Sequence, residues 1–111
     1  MSHMFDFYSS EGIDVTNIDD LESTLIHSDN EIYHTNFAIG NTNDMLIFQA
    51  ILDIDEGICI KVKNDIDNAW QKYESWRFTD EQDDLSNRIE LCLIECEKVV
   101  KNGHKIVIIH D

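Results

Sequence analysis

Three cysteines and five histidines carry most of the latent chemistry of this 111-residue chain, and their spacing decides how much of it is usable. Cys92 and Cys96 stand four apart on a predicted helix and could share a metal ion. Both, however, fall on the apolar stripe of that helix, and no second Cys or His pair has zinc-finger spacing. Free cysteine is among the most buried side chains, so these two read as core. Cys59 is the third, and an odd number of cysteines in a chain with no sign of export reads as reduced thiols. His27, His34, His104 and His110 fall on a helix end, a loop and the edges of the last strand, without two ligands on one face. No metal and no cofactor are therefore expected. A nucleophile–base pair of Cys59 with His34 or His110 stays open, although any chain with these residue types offers such pairs. The acid clusters Asp53-Asp55-Glu56 and Asp80-Glu81-Asp83-Asp84 lack the alternating ligands, central Gly and terminal Glu of a calcium loop. Four glycines are too few for a phosphate-cradling loop. The pattern points away from catalysis and towards binding.

The elements that must position these groups follow from periodicity. Residues 4–8, Met-Phe-Asp-Phe-Tyr, read as a first strand ending at Ser9-Ser10-Glu11-Gly12. Thr16 can cap a helix over 18–27, with Ile18, Leu21 and Leu25 on one face and acids at its positive end. The polar stretch 28–41 reads as a long loop. A helix over 42–52 has so little polar face that it must be buried or offer apolar surface to a partner. Ile58, Ile60 and Val62 alternate with Cys59, Lys61 and Lys63 as in a half-buried strand. Asn64 or Asp65 caps a helix carrying Ile66, Ala69, Trp70 and Tyr73, with Trp76 in the loop beyond it. From Leu85 to Asn102 a strong helical stripe ends at Gly103, and Ile106–Ile109 is a β-branched run suited to an inner strand. Strands joined by helical crossovers long enough for parallel pairing predict an α/β fold: a three-stranded parallel sheet flanked by about four helices. Residues 1–3 read as a cloning remnant, which removes His3 from functional argument, and 4–111 as one domain.

Charge is the most telling bulk property. The net charge is −15, well beyond the magnitude of about 2 to 8 that solubility asks for. Residues 1–60 hold 12 acids and no Lys or Arg, while residues 61–111 hold 8 basic and 11 acidic side chains. Such a field repels nucleic acid and anionic lipid and speeds encounter with a basic surface. No apolar run reaches membrane-spanning length and no leader is evident, so a cytoplasmic, membrane-free protein is expected.

The predicted element order, with Asp20–Leu25 in the first helix, Gly40-Asn41-Thr42-Asn43-Asp44-Met45-Leu46 opening the second, and Glu97–Ile109 running from helix through Gly103 into a hydrophobic strand, resembles the barstar family of small acidic intracellular ribonuclease inhibitors. The resemblance implies a barstar-like fold and an inhibitory surface formed by the loop before the second helix and that helix's first acid. Its residues here would be Tyr33, Asn36, Gly40, Asn41, Asn43 and Asp44. The family's second helix acid falls on Phe48, its intervening aromatic on Ile47, and its contact Glu in the last helix on Lys98, with Glu97 alongside. What carries over is thus an immunity protein that blocks a basic toxic nuclease in a one-to-one complex, without a particular ribonuclease target. A nucleic-acid mimic that blocks a DNA- or RNA-binding protein is the second expectation, and a small cytosolic domain of other function the third.

Overall fold

The computed structural model describes residues 2–79 and 83–111. Its strands are β1 (Ser2–Ser9), β2 (Glu31–Ala38), β3 (Gly57–Lys61) and β4 (Ile106–His110). Its α-helices are α1 (Leu21–Ile26), α2 (Thr42–Leu52), α3 (Lys63–Thr79) and α4 (Asp83–Lys101), with single 3-10 turns at Ile18–Asp20 and Ile39–Asn41. The sheet order is β2-β1-β4-β3, and every neighbouring pair is antiparallel. The expected three-stranded parallel, barstar-like sheet is therefore overturned.

Two physical reasons account for the change. First, the stretch expected to be a loop contains β2, in which Tyr33, Thr35 and Phe37 point to one face while His34, Asn36 and Ala38 point to the other. Second, crossover length does not fix strand direction; the number of traversals does. Two successive helices, α3 and α4, return the chain to the end of the sheet that β3 left, so β4 enters antiparallel. Residues 10–30 also leave and re-enter at one end, where Ser9 N–H donates to Asn30 O (2.9 Å) and Asn30 Nδ2 donates to Ser9 O (2.8 Å). Helix α2 links the outer strands β2 and β3, about 14 Å apart across three strand spacings, and its 11 residues span roughly 16 Å.

The two faces of the sheet are covered unequally. Helices α2, α3 and α4 bury one face, where Phe5, Phe7, Phe37 and Phe48 meet Ile66, Tyr73, Ile89, Leu93, Ile106 and Ile108. Phe48 sits amid Phe5, Phe37 and Phe7 at ring-centroid distances of 5.1, 5.3 and 6.1 Å, within the range of favourable aromatic pairs. The other face carries a small cluster of Tyr8, Leu21, Leu25, Val107 and Ile109, covered by α1 and the chain around Ile13 and Val15. Trp76 lies inside α3, half-buried against the main core, rather than in a loop.

Cap chemistry also differs in detail from the expected pattern. Thr16 donates through N–H and Oγ1 to Asp14 (3.0 and 2.6 Å) and does not cap the turn at Ile18. Asp65 accepts from the Val62 N–H at 2.8 Å, the reciprocal half of a capping box at the start of α3. Asp53 ends α2 in the left-handed region (φ 53°), and the Ile54 N–H donates to Gln49 O (3.0 Å). No helix among the described residues is long and apolar enough to cross a membrane.

Candidate functional site

The residues expected to form one surface are divided by the fold. Gly40 and Asn41 lie in the 3-10 turn after β2, and Asn43 and Asp44 in the first turn of α2. Asn36 is nearby and exposed on β2, so these five share one end of the sheet. Tyr33 is turned into the helix-covered face, where its hydroxyl donates to Arg88 O at 3.0 Å. Burial pushes its phenol up to about 12. It ties β2 to α4, as does Arg88, which donates to Asn36 O at 2.8 Å and lies 4.7 Å over the Phe37 ring. Glu97 pairs with Lys101 at 3.2 Å. It stands near the end of α4, where Val99 lines a cleft together with Ser9 and Glu31, while Asp44 follows Ala38 at the opposite end of β1.

What the fold does bring together is the acid of the N-terminal half. Asp6 points to the thinly covered face, because its neighbours Phe5 and Phe7 enter the main core. Asp14, Asp19, Asp20 and Glu22 are exposed on the segment that lies over this face. Glu11, Asp29 and Glu31 rim a shallow cleft at its edge, beside His104 and Lys98. Eight acids are thus gathered on residues 6–31, with no Lys or Arg among them. Hydrogen bonds from Thr16 hold the Asp14 carboxyl below its ordinary value, keeping it ionised. Exposed Ile18 and Ile26 sit amid these charges, at 60% and 58% of full exposure.

The basic residues scarcely answer this field. Lys63–Asp67, Lys98–Glu95 and Lys101–Glu97 are pairs within single helices. Among the described residues only Lys61 reaches back to an N-terminal acid, Asp53, while His104 stands 3.7 Å from Glu11.

Three of the titratable groups meet across β1 and β2. Asp6 and His34 are directly opposed, with Nδ1 to Oδ1 at 2.5 Å. Glu31 joins them, so that one ligand atom from each of Asp6, Glu31 and His34 lies within 4.8 Å of the others. Local loss of hydration, then the hydrogen bond and the charge of the neighbouring Asp6 carboxyl, raise the Glu31 carboxyl above its usual value although the residue as a whole is exposed. This cluster could not be seen from spacing along the chain, because it depends on strand pairing.

The remaining chemical candidates resolve into structure. Cys92 and Cys96 are fully buried, and burial drives the Cys92 thiol well above its ordinary value, away from a reactive thiolate. Cys59 is on outer strand β3 and His34 on outer strand β2, with two strands between them. Cys59 exchanges hydrogen bonds with the Asp55 backbone instead (3.3 and 3.4 Å). His110 is buried and stacks on Phe5, with centroids 4.1 Å apart and planes at 17°. Of the second acid cluster, Asp80 and Glu81 lie outside the described residues.

No family model matches the chain, and no curated protein or solved structure matches it.

Proposed function

We propose that this chain is an acidic inhibitor of the immunity-protein kind, which binds a basic toxic nuclease one to one in the cytoplasm and covers its active site. The antiparallel sheet removes the architectural ground for the barstar resemblance, so the proposal rests on charge and surface chemistry. Its single carrying observation is the layer of residues 6–31, where eight acids without a basic neighbour in sequence surround exposed Ile18 and Ile26. A nuclease active site must be cationic to hold phosphates, and carboxylates on a preformed scaffold can occupy those positions. Exposed isoleucines add the apolar contact that a lasting complex needs at its centre. The same field opposes direct binding of DNA or RNA.

This reading moves the main contact from the Asp44 end of the sheet to the α1 face, and the two can be separated. The triple substitution Asp19→Lys, Asp20→Lys, Glu22→Lys should slow association with a toxin encoded beside the protein by on the order of 10- to 100-fold at low salt. Asp44→Ala should have a smaller effect. Stopped-flow association with circular dichroism as the folding control measures both. If the parent protein neither binds nor protects against that toxin, the proposal fails. If Asp44→Ala has the larger effect, the face is misassigned. Competition with duplex DNA for a protein without nuclease activity would instead identify a nucleic-acid mimic.

A further inference from the structure

In a regular strand, residues three apart face opposite sides of the sheet, so Glu31 and His34 should be separated by it. The pairing register shows why they are not. Phe7 opposes Tyr33 and Tyr8 opposes Glu31, which leaves Ile32 as an extra residue in a β-bulge. Ile32 and Tyr33 both pack towards the main core, and the alternation resumes with Glu31 on the same face as His34 and Asp6. The bulge therefore sets a second carboxylate beside a cross-strand Asp–His pair. Bulges commonly re-aim a side chain in this way beside functional sites.

The result is electrostatically unfavourable by itself. Two carboxylates face one imidazole, and among the described residues neither carboxylate has a Lys or Arg ion-pair partner. A dipositive ion would answer both charges at once. We propose that Asp6, Glu31 and His34 form a binding site for a first-row divalent metal ion such as Zn²⁺, with water completing its coordination.

The donor set and the distances are consistent with this. One imidazole nitrogen with two carboxylate oxygens suits Zn²⁺ and its neighbours better than Mg²⁺ or Ca²⁺, which favour all-oxygen shells. Bonds of 2.0–2.2 Å place tetrahedral ligand atoms about 3.3 Å apart, so His34 Nδ1 and Asp6 Oδ1, now 2.5 Å apart, open by about 0.8 Å while the other donor separations, all within 4.8 Å, close by about 1.5 Å at most. His34 and Glu31 are exposed and can make that adjustment, while Asp6 is more enclosed and fixed on β1. The ion takes the place of the hydrogen between His34 Nδ1 and Asp6 Oδ1, and the neutral ring then carries its one N–H on Nε2.

Calorimetric titration of the full chain with ZnCl₂ at neutral pH tests the site. The expected result is one equivalent bound. His34→Gln and Glu31→Gln should each weaken binding by on the order of tenfold to a hundredfold. His27→Gln, Cys59→Ser and His3→Gln should leave it unchanged. Zn²⁺ should raise the unfolding midpoint of the parent protein, and the same concentration should raise that of His34→Gln, each measured against its own ion-free melt, by much less. Absence of stoichiometric binding, survival of full affinity in His34→Gln, or its loss in Cys59→Ser or His3→Gln would each overturn the assignment.

Discussion

The two faces of the sheet divide the molecule's work. One lies beneath three helices, shares an aromatic cluster centred on Phe48, and carries cations paired to acids on their own helices. The other is covered by six residues of helix and a few apolar side chains, and its acids find almost no internal cation. Stability is concentrated where apolar area is buried. Charge accumulates where little packing depends on its neutralisation, and there it remains available to another molecule.

The largest test of this division removes one anchor from each face. Phe48→Ala should cost about 3–5 kcal/mol, the range for a large aromatic taken from a close-packed core. Leu25→Ala, under the thin cover of α1, should fall at the low end for a buried leucine, about 2 kcal/mol, because the short helix can settle into the space. Urea denaturation with a common slope measures both, and equal losses would break the comparison.

A smaller effect concerns the strap between β2 and α4. Tyr33→Phe removes the hydrogen bond to Arg88 O and should lower stability by about 1 kcal/mol at neutral pH. The same phenol gives a pH signature. Its folded value is raised to about 12, above an ordinary 10, so the folded state holds the proton more tightly. Its contribution is therefore complete below pH 10 and disappears as pH rises through 12. Tyr33→Phe should flatten that part of the alkaline decline, leaving the parts due to Tyr8 and Tyr73, also raised chiefly by burial. Denaturant midpoints between pH 9 and 12 would show it.

The smallest expected effect is the most direct on charge. Raising NaCl from 0.05 to 0.5 M, by about tenfold, should increase the melting temperature modestly, since screening relieves repulsion among uncompensated acids. Were those acids engaged in internal pairs, the same salt would lower it.

The sequence discloses helices well when their stripes are long. Helix α2 occupies the expected 42–52, and α4 and β4 follow the patterns of Leu85–Val100 and Ile106–Ile109. The alternation of Tyr33, Thr35 and Phe37 with His34 and Asn36 in β2 is itself a strand signal, but it is short, carries polar Thr35 at an inward position and is broken by the bulge at Ile32. Without that strand the connection from β1 to β3 reads as a single crossover, and α3 with α4 reads as a second one although the two helices return the chain to the end of the sheet that β3 left. The excess of acid could be counted from residue types alone, whereas its gathering on one face required residues 10–30 to fold over β1 and β4. The Asp6–Glu31–His34 group is still less legible, since it arises from a register shift that no spacing along one strand encodes.

The clasp between Ser9 and Asn30 gives residues 10–30 a particular evolutionary freedom. A segment that departs and returns at a single point can be rewritten without sliding any strand past its neighbour, provided Leu21 and Leu25 keep their anchorage on Tyr8, Val107 and Ile109. Exchange of this cassette alone offers a route to a new binding preference on an unchanged scaffold.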